Sequence, residues 1–247
     1  MELLRSSGRT GSLSAFDRAK FVKGIADVSK TEAGFGFVLS GILACLDGDI
    51  AEVDRCFSAA RHLKEPHVDA QHLYTLSNLG YAKRTLSMAK TVIGPQREDL
   101  SDYIRAATWV GGVVTSWEAV QAATANQMVL AAAANAAIDV AKRSSLALKL
   151  AGRTQDELVA VIDVAGEVLR SHRLLWLGAG PDVIALDGRE GDESAPGVHY
   201  LYRVEVDEVE ATEMNDEIVS ALVSRDLDRP GLSVSFMASK HAQVAAA

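Results

Sequence analysis

Three glycines constrain the architecture more than any other feature. Gly48 in "LDGD", Gly80 in "NLGY" and Gly112 in "VGGV" each stand 32 residues from the next, and each follows a run with apolar residues at helical spacing. Two helices of roughly a dozen residues plus two short turns fill such an interval, which is the unit of a stacked array of antiparallel helical hairpins. The spacing predicts hairpins formed by residues 35–46 with 50–63, 69–79 with 82–93, and 101–110 with 115–131. Pro66 and Pro95 fall between these hairpins, where a residue without a backbone N–H ends a helix at little cost.

Over residues 33–130 this layout resembles the tetratricopeptide class in architecture. Placing Pro95 at that class's proline puts Gln71, Lys83 and Lys90 where small residues are required, so the class consensus is absent. Ahead of the array, Ser14 is a good N-cap with Asp17 at the third helical position, opening a helix that carries Phe16, Phe21, Val22, Ile25 and Val28. Residues 1–12 offer nothing to bury and are expected to form a flexible arm. Beyond the array, the alanine-rich stretch 119–150 continues as helix, because alanine favours helix and permits close helix approach.

At Thr154 the character changes. Thr154 with Glu157 forms a capping box ahead of Leu158, Val161, Ile162, Ala165 and Leu169 on one helix face. The β-type runs "LLWLG", "DVIAL", "HYLYRVEVD" and "LSVSFMA" follow, with a helix carrying Met214, Ile218, Ala221 and Leu222 before the last. Tyr200, Tyr202, Val204 and Val206 alternate with polar neighbours, the pattern of a half-buried strand. The expected organisation is a flexible arm at 1–12, an α-helical hairpin array at 13–153, a small α+β domain at 154–240 and a flexible tail at 241–247.

Charge is distributed unevenly. Residues 1–30 carry six lysines and arginines against three carboxylates, whereas residues 174–247 carry five against 14. An acidic C-terminal part repels phosphate backbones, which argues against nucleic acid as partner. The longest apolar stretch, Met128 to Ile138, is alanine-rich, interrupted by Asn135 and too short to span a bilayer. No apolar segment near the start suits a secretory signal, and Cys45 and Cys56 make neither a disulfide framework nor a metal pair, so a cytoplasmic setting is expected.

Catalytic signatures are missing. "LLWLGAGPDVIALDG" has Gly178 and Gly180 but Val183 where a dinucleotide fingerprint needs its third glycine, and no helix pattern follows, so a turn between strands is expected. His62, His67 and His72 recur every five residues around Pro66, a spacing that suits a surface loop better than a metal site. Glu205 and Asp207 are expected on one strand face, and Glu213 shares a helix face with Glu217; without a calcium-loop spacing they describe an acidic surface rather than a metal centre. No metal or cofactor is expected.

The functional expectation is a non-catalytic interaction protein: an adaptor, an accessory subunit or an inhibitor. Its array would display Tyr74, Tyr81, Trp109 and Trp117, and its α+β domain would present Glu205, Asp207, Glu208, Glu213 and Glu217 to another, basic protein. The alternative is a small enzyme or ligand-binding regulator with a pocket beside "WLGAG", to which Gly178, Gly180, Asp182 and Arg203 would contribute. The alanine-rich helices 119–150 offer a third route, pairing with a second copy.

Overall fold

The computed structural model describes residues 9–11, 13–93, 99–128, 130–175, 181–186, 188 and 195–239. Seven helices come first: α1 (Ala15–Ser29), α2 (Ala33–Asp47), α3 (Ile50–His62), α4 (Val68–Asn78), α5 (Ala82–Val92), α6 (Leu100–Trp109) and α7 (Val113–Ala125). A 3-10 turn, Ala132–Ala134, leads to α8 (Asn135–Leu150) and α9 (Gln155–Ser171). Strands β1 (Asp182–Leu186) and β2 (Gly197–Val204), helix α10 (Glu208–Ser224) and strand β3 (Leu232–Ala238) complete the described chain. A helical array followed by a small α+β unit is therefore the fold.

Side-chain caps explain several helix starts. The Ser14 hydroxyl accepts from the Asp17 amide at 3.0 Å, and the Asp49 carboxylate from the Glu52 amide at 3.0 Å. Gly48 and Gly80 take left-handed backbone, with φ of +78° and +71°. In the third hairpin that role passes to Gly111 at φ +85°, while Gly112, the residue in register by spacing, has an ordinary φ of −75°. Helix α7 stops at Ala125 rather than running to 131, because Gln127 turns the chain into the left-handed region at φ +56°.

Four β-type runs were expected, and three strands form among the described residues. Leu174 makes only an isolated bridge to Arg9, and Leu175 packs into the core of the first hairpin; the rest of that run, including Gly178 and Gly180, lies outside the described residues. β1 pairs antiparallel with β2, placing Ile184 opposite His199, and β2 pairs parallel with β3, placing Tyr200 opposite Val234, with α10 as the crossover. The alternation in β2 holds: Val198, Tyr200, Tyr202 and Val204 are buried. Val206 continues the alternation and is buried too, but the paired strand ends at Val204, so Asp207 is the N-cap of α10 and not a strand residue beside Glu205.

One apolar core joins the array to the sheet. Leu86, Val110 and Val113 belong to the same buried cluster as Leu148, Ile162, Tyr200, Met214 and Phe236, so burial is continuous across Thr154. Tyr200 is fully buried and its hydroxyl donates to the Thr108 carbonyl at 2.6 Å. Helix α9, opened by the Thr154–Glu157 capping box, lies at the junction. Its Gly166 meets Gly80 backbone to backbone, and Arg170 donates to the carbonyls of Leu79 and Gly80 at 3.1 and 2.6 Å.

Arg9, Thr10 and Gly11 depart from the expected flexible arm, whose other residues lie outside the described ones, as does the tail 241–247. The Thr10 amide donates to Arg173 at 2.6 Å, the Gly11 amide to Leu46 at 2.7 Å, and Arg9 pairs with Glu210 at 2.5 Å. These bonds satisfy the amides of Thr10 and Gly11 and hold the segment against the end of α2, the end of α9 and the first turn of α10.

Candidate interaction surface

The acidic C-terminal charge converges on α10. The Asp207 carboxylate caps the helix by accepting from the Glu210 amide at 2.9 Å, and Glu208 and Glu210 in the first turn face the positive end of the helix dipole. Ala211, Met214, Ile218 and Leu222 are buried on the inner face. Asn215 turns to β3, where its side-chain amide donates to the Phe236 carbonyl at 2.9 Å and accepts from the Phe236 amide at 2.8 Å.

Among the described residues the outer face has no such partners. Val209, Val219 and Val223 are 68%, 59% and 59% exposed, on the side of the helix opposite the buried row. Asp216 lies between them, Glu213 and Glu217 flank them on one side and Glu208 on the other. Among the described residues, Glu205, Glu208, Glu213 and Asp216 form no ion pair. Glu210 and Glu217 are engaged differently: His172 stands between them, 3.2 Å from Glu210 and 3.1 Å from Glu217. Partial burial works to raise the Glu210 carboxyl, but Arg9 and His172 outweigh it and hold that group below the ordinary carboxylate range. An open groove of about 720 Å³ between α9 and α10, lined by Ser171, Glu217, Ser220, Ala221 and Ser224, runs beside this face.

The four aromatic residues do not form one display. Tyr74 and Trp109 do come together, with ring centroids 5.4 Å apart. Arg105 links them, lying over both rings and donating to the Tyr74 hydroxyl at 2.7 Å and to Asp102 at 2.7 Å. Tyr81 lies under the Arg170 guanidinium at 4.1 Å, inside the contact between α9 and the second hairpin. Trp117 packs among α6, α7 and α8 with Lys142 at 5.8 Å from its ring. The alanines of 119–150 are used in the same region, since Ala119, Ala123, Ala137, Ala141 and Ala147 are buried, while Leu146 and Leu150 are exposed.

Arg105 and Trp109 also border a small cavity of about 200 Å³, closed by Thr108, Ala136, Ala137, Val140, Pro181 and Val183. Asp182 and Arg203 are not part of it. Successive strand residues point to opposite faces, so with Val183 facing the cavity, Asp182 lies on the open face of the sheet, paired with Arg203 at 2.8 Å.

The catalytic options are poor. His199 lies between Ser233 at 2.8 Å and Ser235 at 3.1 Å on that open face. No carboxylate orients its ring among the described residues, as a serine–histidine nucleophile would require. Cys45 and Cys56 are free and buried, and burial pushes the thiols up to about 12 and about 11, away from the reactive thiolate. Among the described residues no group of three or more His, Cys, Asp or Glu can hold a metal ion, and no helix is long and apolar enough to cross a membrane. His72 is not a loop histidine: it is buried on α4, stacked on Phe57 at 4.7 Å, with Asp54 at 3.3 Å.

Sequence reasoning passed over Arg105, Asp102, Arg9, His172 and the three exposed valines. A helical wheel of residues 208–224 would have shown the valines opposite Met214 and Ile218; nothing local signals the other contacts, which join distant segments. No family model, curated protein or solved structure matches this chain, so the functional argument rests on these residues alone.

Proposed function

We propose that this chain is a non-catalytic interaction protein whose docking surface is the outer face of α10. One observation carries the reading: Val209, Val219 and Val223 are exposed on one side of α10 beside Glu208, Glu213 and Asp216, which make no ion pair within the described residues. Valine burial is favourable by roughly 25 cal/mol per Å², so a row left in water gains from being covered. The flanking carboxylates select a basic partner and speed its approach, in a salt-dependent way. The array then serves as the scaffold that holds α10, with Arg9 fastening the first turn of the helix.

A photo-crosslinking side chain placed at Val219 tests this reading in cells. The expected result is an adduct containing a second polypeptide, absent when the crosslinker sits at Lys149 on α8 and diminished by Glu213→Lys with Asp216→Lys. Absence of any adduct at Val209, Val219 and Val223 alike would overturn it.

A second reading, a ligand-binding regulator, is favoured by the cavity that Arg105 and Trp109 border. It predicts that a small carboxylic acid alters Trp109 fluorescence in the native chain and not in Arg105→Leu. No change with a panel of such acids removes that reading.

A further inference from the structure

Helix α1 is built as the counterpart of α10. No residue of α1 is buried; Phe21, Ile25 and Val28 are half-covered on the side facing α2, and among the described residues nothing covers the other side. Phe16 is 78% and Val22 44% exposed. Arg18 is paired with Asp47 and Lys30 with Asp27, which leaves Lys20 and Lys23 with no ion pair among the described residues. At 100° per residue, Phe16, Lys20 and Lys23 fall on one outward arc of the helix. The end of a helical array ordinarily has a polar outer face, and a large exposed aromatic there departs from that rule.

Among the described residues two helix faces therefore lack partners: a basic one on α1 beside Phe16, and an acidic one on α10 beside the exposed valines. Lys20 and Lys23, three residues apart beside Phe16, match Glu213 and Asp216, three residues apart beside Val209 and Val219. Pairing α1 with α1 of another copy would oppose lysines, and pairing α10 with α10 would oppose carboxylates, each a destabilising juxtaposition. Of these three pairings, α1 against α10 alone brings opposite charges together while covering Phe16 and the exposed valines.

Resting on the reading of α10 as a docking face, we propose that its occupant is a second copy of this chain, seated through the outer face of α1. Phe16 enters the valine row of the neighbouring α10, and Lys20 and Lys23 meet Glu213 and Asp216. The contact is heterologous, so each chain keeps one face free to take the next copy unless the rotation closes a ring.

Sedimentation of the full chain at low and high salt, with charge-swapped variants, tests this. The native chain is expected to self-associate at low salt and to weaken as salt rises. Lys20→Glu with Lys23→Glu, and separately Glu213→Lys with Asp216→Lys, are each expected to sediment as monomers. Mixing the two variants is expected to restore association, with the variants alternating, because the acidic α10 of the first meets the basic α1 of the second and the acidic α1 of the first meets the basic α10 of the second. All four substitutions in one chain are expected to restore self-association.

A native chain that stays monomeric at low salt, or a mixture that does not combine, overturns the proposal. The docking reading itself fails separately, when Val209, Val219 and Val223 all crosslink to nothing. An adduct of Val219 with a different polypeptide, beside a monomeric native chain, keeps the docking face and removes the second copy as its occupant. All four substituted positions are exposed, so circular dichroism of each variant separates a lost contact from a lost fold.

Discussion

Gly166 and Gly80 show how much one hydrogen atom decides. A Cβ added at Gly166 would overlap the Gly80 carbonyl oxygen, and the obstructing atoms are backbone, which cannot rotate away. Gly166→Ala is therefore expected to destabilise the chain by about 3 kcal/mol, measured by urea denaturation. Gly24 on α1 has no heavy atom within 4 Å of such a Cβ, so Gly24→Ala is expected to stabilise by about 0.5–1 kcal/mol through helix propensity. Equal effects at the two positions would refute the packing argument. His72 supplies a prediction of a different kind. Burial depresses its pKa, Asp54 opposing, and Arg61 at 3.5 Å from one ring nitrogen leaves the other to donate to Asp54. Because the folded-state pKa lies below the unfolded value of about 6.5, the unfolded chain binds a proton that the folded chain refuses. Stability is thus complete above that value and is lost as pH falls from about 7 through it. His72→Phe keeps the stack on Phe57 but cannot titrate, so its urea midpoint is expected to fall less between pH 7.5 and 5.5 than that of the native chain. An unchanged slope would show that His72 is not the group responsible.

At the scale of elements, what the sequence made legible follows from how local each signal is. Ser14, Asp49 and the Thr154–Glu157 box act within one turn, and the helices begin where those residues stand. The alternation of Tyr200, Tyr202 and Val204 marks a strand face for the same reason. The spacing points to Gly112 as the left-handed residue of the third turn, but "VGGV" offers two glycines and it is Gly111 that takes φ +85°. "LLWLG" has strand composition, but its first two residues have work elsewhere: Leu174 joins the α9–α10 core and Leu175 the first hairpin. Of the candidate site, the carboxylates on α10 were legible as a cluster, whereas their partners Arg9 and His172 come from 201 and 38 residues away from Glu210. The edge of β3 is guarded by a contact of that distant kind. Asn215 occupies both backbone groups of Phe236, which would otherwise offer a free edge to another strand. Asn215→Ala is expected to cost about 2 kcal/mol by leaving those groups without protein partners, and to speed aggregation on mild heating. Light scattering that does not rise sooner than in the native chain would show that the edge is protected by other means.

The whole molecule is organised around a core that does not respect the change in composition at Thr154. Leu86 and Val113 from the array share one buried cluster with Met214 and Phe236 from the α+β part, and the Tyr200 hydroxyl reaches across to Thr108. Separating the two parts would expose apolar surface on both, at roughly 25 cal/mol per Å², so neither is expected to open without the other. Hydrogen exchange followed by mass spectrometry can see this. Amides in α6 and in β2 are expected to share one free energy of opening, the global one. Tyr200→Phe sharpens the test, because it removes one buried hydrogen bond without creating an unpaired hydroxyl, and the Thr108 carbonyl still accepts from the Gly111 amide at 3.2 Å. The expected cost is about 1 kcal/mol, appearing equally in peptides from α6 and β2. If β2 alone exchanges faster, the sheet with α10 opens as its own unit, and α10 is then carried on a part that can detach. If both accelerate together, the surface on α10 is held rigidly by the array, and Phe16 on α1 and Val219 on α10 belong to a single body.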